Sequence, residues 1–576
     1  MTGAAARRQS GIKPEPGRKA PPIPWYFTVA ICAAALLVFL GFLWAELRHN
    51  TRPGFPLDDS WIHLTFARNL SQGWGFAFNQ GEPVAGSTAP LWTLVLAFFH
   101  LFTRNPWAMV ILAKVAGALL VGTAALFACR ITALLTGSRW AGLAAGLGVA
   151  TLSHFGWAMM SGMEVGLSAA LTLAGLYCYL SAGRGWKALL GWGLLGLAAY
   201  ARPESLMLPG LLVLDVLVRR LVRKERPMLF RGLAVWLAAV VPFFILNFAL
   251  SGSPFPQTFI AKAGYHNLFA ALSSADFSDF GNRLFRTPVF YFWDLVLHLW
   301  RANPLLAWLL PVGIVLLVVR WLRRNEASLI IPLLLLCYVP LMGLVVPLYG
   351  PAVQGGRYIG NMTALAVVAS VSGTALLLSR LRSRPSRLGL LALLAALAAW
   401  NAGATGIATA RNSGLEVSSI NRMQVNLAQS AAENTPPDAV VACGDIGAIG
   451  YFSGRRVIDV VGLVTPEMVG YLRSQKVWGQ GLLEFLAERR PDFAIIFPDL
   501  CPQLGDAPFA LPVAYAKVDD NYASKFFFTP RAQVLAGLIV TDVSVEPVPS
   551  VMVVFRFDWT QYPGPAPAQG LSPSGR

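Results

Sequence analysis

Residues 25–63 read WYFTVAICAAALLVFLGFLWAELRHNTRPGFPLDDSWIH, and the order of their parts decides the fold. From Trp25 to Ala45 there is no charged residue, and about 20 apolar residues are what a helix needs to cross a ~30 Å hydrocarbon core. The run is too long for the core of a signal peptide and lacks a small-residue cleavage site, so it reads as a retained anchor. The acidic pair Asp58-Asp59 follows a short polar link. Apolar residues at 61, 62, 64, 66 and 70 then predict a short helix lying along the membrane surface. A span leading into an acidic interfacial segment is the pattern of a membrane protein with polar work at one face.

Composition agrees. Of the 576 residues, 55% are hydrophobic and 13% charged, about half the charge of a soluble chain. Disorder is excluded by 18 Trp and 34 Phe, which demand burial. The net charge of +17 does not signal nucleic acid, because the basic residues sit in short tracts between apolar runs, not along one stripe. Further apolar runs lie at about 107–129, 140–160, 164–182, 187–201, 205–219, 229–250, 304–321, 328–348, 359–379 and 387–405. With the anchor they predict about eleven spans. The run 88–103 is too short to cross and reads as interfacial or re-entrant. With it outside the count, the cytoplasmic tracts hold 22 Lys+Arg against 10 in the outer loops. The positive-inside rule then places the N-terminus in the cytoplasm and the C-terminal part outside a plasma (inner) membrane that the chain crosses many times.

Residues 1–24 read as a disordered cytoplasmic tail, 25–405 as the transmembrane module with its first outer loop at 46–106, and 564–576 as a flexible tail. Between 406 and 563 short strand-like runs at 440–442, 456–461, 493–497 and 551–555 alternate with helical stretches such as Gly481 to Arg490. They predict a C-terminal extracytoplasmic α/β domain. Cys443 and Cys501 lie there and could pair, but no metal-ligand spacing is present.

Ionisable residues at a membrane edge are functional candidates by default, and Asp58, Asp59, Glu82, Glu164, Arg202, Glu204, Lys262 and Arg357 all map to the predicted outer face. Asp58 and Asp59 could cap a helix, or hold a carboxylate able to take a proton from an incoming hydroxyl. Adjacent residues point about 100° apart at a helix start. Asp59 is the better placed to cap or to meet His63 four residues on, which leaves Asp58 aimed at a cavity as the expected base. An Asp59–His63 pair could also hold a divalent cation; a local hydrogen-bonded pair is the plainer reading. Glu164 could be a solvated loop residue, and Arg202 and Glu204 could pair across Pro203. Arg357 follows Gly355-Gly356, which would let a guanidinium approach a ligand. Together with Lys262 and Arg202 it suits a phosphate held at the interface, though interfacial anchoring is an alternative. The glycines of Cys443-Gly-Asp-Ile-Gly-Ala-Ile-Gly450 have GxxGxxG spacing, not GxGxxG, and read as turn and packing residues. No Walker A, HExxH or Gly-x-Ser-x-Gly occurs.

The loop from Leu57 to Trp92, with its Leu-Asp-Asp-Ser-Trp-Ile-His start, resembles the first outer loop of GT-C glycosyltransferases, nearest to the bacterial branch of arabinofuranosyltransferases and mannosyltransferase-like proteins. Ser161-Gly-Met-Glu, Ala201-Arg-Pro-Glu, Gly356-Arg-Tyr and the stretch 445–463 are similar to that branch. The resemblance implies transfer of a sugar from a polyprenyl-phosphate donor to a hydroxyl of a glycan, lipid or protein acceptor outside the membrane. It implies Asp58 as general base, with Asp59 supporting it or binding acceptor or metal. Arg357, Lys262 and Arg202 would face the donor phosphate, with His63, Glu82, Glu164 and Glu204 as substrate-binding or supporting groups. One departure is Trp61, where smaller aromatics such as Tyr are common, so a different acceptor pocket is expected. The competing reading is a transporter or flippase of envelope precursors, which should show charges through the membrane depth or inverted repeats. Lys114 and Asp215 are the only charges read inside spans, and no repeat is found.

Overall fold

The computed structural model describes residues 21–563 apart from 182–184, 224–227, 264–267, 274–275, 325–328, 346–349, 475–479, 506 and 518–550. Of the tails expected at 1–24 and 564–576, residues 1–20 and 564–576 lie outside the described residues.

The apolar runs fold as helices. Among the described residues six are long and apolar enough to cross a membrane: Trp25–His49 (α1), Pro106–Thr136, Leu229–Ser251, Pro304–Arg323, Gly360–Leu378 and Arg384–Asn434. A seventh is possible if Arg139–Thr151 and Ser153–Met160, bent by 50°, form one span. Runs read as spans at 164–182 and 328–348 form shorter apolar helices, and those at 187–201 and 205–219 give Trp186–Leu197 and Leu208–Arg223. The count of eleven is therefore not reproduced by helix length. The run 88–103 gives Pro90–His100 (α3, following α2 below), 11 residues, or about 17 Å at ~1.5 Å per residue, half a bilayer core.

Local chemistry sets the helix ends. Pro106–Thr136 (α4) starts at Asn105, whose side chain accepts from the backbone N–H of Trp107 and Ala108, with Pro106 in the first turn, and stops at left-handed Gly137. Within the bundle, small residues let backbones meet. A Cβ on Gly313 would lie 2.3 Å from the Ala369 carbonyl oxygen, so the helices carrying them pack through glycine. Lys114 of α4 is buried and holds both carboxylate oxygens of Glu46 in α1 at 2.5–2.6 Å, while Glu46 also accepts from the N–H of Gly54. This clip fixes where the loop that follows α1 leaves the helical bundle.

That loop contains Asp59–Ser71 (α2) and α3. The helix expected to end near 405 continues through Ile420 to Asn434, and the sheet begins at Val440, where the run 440–442 predicted its first strand. The sheet comprises Val440–Cys443 (β1), Arg456–Asp459 (β2), Phe493–Ile496 (β3), Ala510–Lys517 (β4) and Val551–Phe557 (β5), in the order β2-β1-β3-β5-β4. β1 is parallel to β2 and β3, and β5 is antiparallel to β3 and β4. Strand β4 had no sequence forecast; Pro512 interrupts its pattern at a register shift. Cys443 and Cys501 are both buried and form no disulfide among the described residues.

Candidate functional site

α2 works with two faces. One meets the helix Ile446–Phe452 of the C-terminal domain along its length. Asp58, at the start of α2, accepts the backbone N–H of Gly447 at 2.6 Å and of Ala448 at 2.8 Å. Arg68, near the end of α2, donates to the carbonyls of Tyr451 at 2.6 Å and Gly450 at 3.3 Å. The Asp58 carboxyl caps the start of the gripped helix and the Arg68 cation its end, as the helix dipole favours; burial and then Asp445 push the Asp58 carboxyl well above the usual carboxylate range, with the Ala448 and Gly447 N–H groups opposing. Contact is this close because of the GxxGxxG glycines. A Cβ on Gly447 would sit 2.0 Å from the Asp58 carbonyl oxygen, and one on Gly450 would sit 2.4 Å from the Phe78 ring. Trp61 is fully buried on this face, with ring centroids 4.8–5.2 Å from Phe55, Tyr451 and Phe452. It fills the contact between α2 and the helix Ile446–Phe452 and is not among the residues that line the cleft on the other face.

The other face opens on a small cleft lined by Asp59, His63, Glu164, Arg202, Glu204, Lys262 and Arg357 among others. Seven of the nine residues singled out in the sequence thus converge, although they come from distant parts of the chain. Two do not. Asp58 turns away to the C-terminal domain, because the 100° step that separates it from Asp59 points it at the Ile446 helix start. Glu82 pairs with Arg456 at 2.6 Å on the half-exposed rim of β2. The expectation that Asp58 faces the cavity is therefore corrected: Asp59 does.

Within the cleft, Asp59 Oδ2 lies 2.6 Å from Arg357 Nη2. Burial would raise the Asp59 carboxyl, but Arg357, Lys262 and His63 outweigh it and hold the group far below the usual carboxylate range. Glu164 lies 2.7 Å from Arg202 and 3.3 Å from His63 Nε2. Against its burial, Arg202 and then His63 bring Glu164 down to about 2. Glu204 is raised by burial, with Arg202 opposing. Tyr358, which sequence reasoning quoted but gave no role, accepts from Arg357 Nη2 at 2.9 Å and lies under the Arg202 guanidinium at 4.6 Å. Leu463, from the C-terminal domain, also lines the cleft; nothing near it in sequence signals that.

Strained backbone delivers two of these groups. Arg357 ends a strap in which Gln354, Gly355 and Gly356 have φ of 50°, 70° and 75°. His154 holds the Gly355 carbonyl at 2.7 Å, and Asp294 accepts the Ala352 N–H at 2.9 Å. Glu164 follows left-handed Gly162, whose missing side chain leaves room for Phe55 and whose carbonyl accepts from Trp92 Nε1 at 2.8 Å.

The donor set does not assemble around a cation. His63 turns one nitrogen to Glu164 and the other to Ser87 at 3.1 Å, while Asp59 turns to Arg357. Among the described residues no group of three His, Cys, Asp or Glu side chains could hold a metal ion.

This architecture is similar to that of membrane transferases of known structure. Over 82% of this chain and 70% of the other, it matches the oligosaccharyltransferase AglB from Archaeoglobus fulgidus, solved with an inhibitory peptide and a dolichol-phosphate, at TM-score 0.57 and 11% identity. Over 85% of this chain and 96% of the other, it matches ArnT from Cupriavidus metallidurans bound to undecaprenyl phosphate, at TM-score 0.52 and 17% identity. The fold is GT-C. Residues 416–542 match a family described as a domain of unknown function, DUF8728. No curated protein matches the chain. The multi-pass membrane architecture read from the apolar runs fits both structures; neither likeness singles out the arabinofuranosyl and mannosyl branch.

Proposed function

We propose that the chain is a glycosyltransferase that moves a sugar from a polyprenyl-phosphate donor to an acceptor hydroxyl at the outer face of the membrane, with Asp59 in the role the sequence reading gave to Asp58. The observation that carries this is the Asp59–Arg357 pair and what it leaves over. Arg357 Nη2 holds Asp59 and Tyr358, yet its buried Nε and Nη1 have no hydrogen-bond partner among the described residues. Buried donors left unmade cost about 1–3 kcal/mol each, so a site that keeps them is shaped for an incoming acceptor group. A phosphate oxygen fits both. Lys262 lines the same cleft, and no carboxylate among the described residues lies within ion-pair distance of it.

In the reaction the acceptor oxygen attacks the anomeric carbon and the bond from that carbon to the phosphate oxygen breaks. The electron pair leaves on the polyprenyl phosphate, where Arg357 and Lys262 stabilise the added charge. The acceptor proton passes to Asp59. An aspartate held so far down by Arg357 is a weak base; as the guanidinium shifts toward the phosphate, Asp59 regains basicity when the proton must move. Glu164 and His63 support Arg202 at the back of the cleft.

The transporter reading has less support. Lys114 is paired with Glu46, and Asp215 with Arg219 at 2.8 Å and Tyr179 at 2.6 Å, so the charges in the span interiors are committed to each other. The branch suggested by the first loop, arabinofuranosyl or mannosyl transfer, remains the finer proposal for the sugar, and an extracytoplasmic C-terminal domain the proposal for orientation. The test is mass spectrometry of cell-envelope glycans from cells with the wild-type protein, without it, and with Asp59→Asn. Loss of one glycosyl unit in the last two supports the reading; unchanged glycans in both overturn it.

A further inference from the structure

The helix Gln257–Ala263 carries Lys262 and lies where three parts of the chain meet. Its first turn is bound to the first outer loop: the N–H of Gln257 donates to Ala85 at 2.9 Å and the Thr258 hydroxyl to Gly86 at 2.7 Å. Its third tie goes elsewhere. The buried Gln257 side-chain amide donates to the carbonyl of Gly462 in the C-terminal domain at 3.0 Å. Gly462 belongs to the turn after β2, at φ 86°. The buried Asp459 carboxylate shapes this turn by accepting the N–H of Val461 at 2.8 Å and of Val464 at 2.9 Å. The next residue, Leu463, lines the cleft, and a Cβ on Gly86 would lie 2.6 Å from Val464. One turn of the C-terminal domain thus touches both the cleft and the element that presents its lysine.

We propose that Gln257 is a positioning residue through which the turn 459–465 of the C-terminal domain sets Lys262 for a lipid-linked phosphate, so that docking of this domain and binding of the phosphate favour each other. The proposal rests on the reading of the cleft as a phosphate site. A helix of seven residues is marginal alone, and Lys262 lies at its far end, so its place depends on how the first turn is held. Coupling through one shared contact is reciprocal: whatever the phosphate gains from the docked turn, the turn gains from the phosphate.

The test uses the full-length protein in lipid nanodiscs with undecaprenyl phosphate as the probe, measuring its affinity together with hydrogen exchange over 257–263 and 459–465. Wild type should bind and show slower exchange in both segments on binding. Gln257→Met, which keeps the bulk and loses the amide, should weaken binding about five- to tenfold, the worth of one buried hydrogen bond. It should also abolish the ligand-dependent protection of 459–465, with the protein folded and its thermal midpoint lowered by no more than the loss of that one bond accounts for. Lys262→Ala is the control for the underlying reading. Wild-type affinity in Gln257→Met, with binding lost in Lys262→Ala, overturns the positioning role alone. Wild-type affinity in both overturns the phosphate site and the proposal with it.

Discussion

The two faces of α2 treat charge in opposite ways. On the face toward the C-terminal domain, Asp58 and Arg68 spend their polar atoms on backbone groups of a single helix, and both Asp58 oxygens are satisfied. On the cleft face charged side chains meet one another, and polar atoms are left over: the donors Nε and Nη1 of Arg357 and Nε of Arg202, and an oxygen of Glu204, are buried without a hydrogen-bond partner among the described residues. Satisfied charge fixes one arrangement. Unsatisfied buried charge costs stability, and it persists where a ligand completes it. Two adjacent aspartates, alike in chemistry, therefore have different tasks because they lie on different faces.

The strongest way to break this contrast is to remove each carboxylate in turn. Asp59→Asn should lower turnover by about 10²–10⁴-fold, the usual cost of a lost general base, with folding intact. Asp58→Asn should leave most turnover and instead destabilise the interdomain contact by roughly 2 kcal/mol, since a buried backbone donor left unmade costs ~1–3 kcal/mol. Limited proteolysis between the modules reads that loss. Steady-state turnover of both variants in lipid decides the assignment: an inactive Asp58→Asn beside an active Asp59→Asn reverses it.

A smaller effect is expected at Arg357. Arg357→Ala should weaken polyprenyl-phosphate binding about tenfold to a hundredfold, and Arg357→Lys should recover only part of it, because an ammonium cannot hold Asp59 and present two further planar donors at once. If titration showed acceptor affinity changing while donor affinity did not, the leftover donors would have another purpose. On the docking face, Gly447→Ala should cost about 1–3 kcal/mol by overpacking, read as a lower thermal midpoint with donor affinity retained in the folded fraction.

Much of this was legible in the sequence, and the limits have physical reasons. Membrane class followed from apolar run length, which is local. Convergence of Glu164, Arg202, Lys262 and Arg357 followed from topology, because loops on one side of a bundle share a face. The choice between Asp58 and Asp59 was not legible. The 100° rule said that they must diverge, but the partner that claims Asp58 lies 389 residues away at Gly447, and no local pattern announces it. The GxxGxxG spacing came closest, since packing glycines demand a close neighbour without naming it. Span number is less legible for a related reason: Trp186–Leu197 and Val165–Ser181 pack against each other within the bundle, and a short apolar helix reads alike whether it crosses or is buried.

The smallest expected effect concerns pH and the turn that Asp459 shapes. This carboxylate is buried in the C-terminal domain, and burial pushes it up from 3.8 to about 6 despite the backbone N–H groups that it accepts. The sign follows from linkage. A folded pKa above the unfolded value means that the folded chain binds this proton more readily, so the contribution to stability is full below about pH 4 and is lost as pH rises through 6. Going from pH 7 to pH 5, Asp459 alone should therefore stabilise the domain by about 1 kcal/mol. Asp459→Asn removes the titration, so the difference between its thermal midpoint and that of wild type should change across this range, with wild type gaining on the variant as pH falls. Protonation also weakens the acceptor that shapes 460–464, so amide exchange in that turn should quicken over the same interval while the domain as a whole holds better. A midpoint difference that stays flat from pH 7 to pH 5 would show that Asp459 remains ionised throughout, and the turn beside the cleft would then be charge-held over the whole interval.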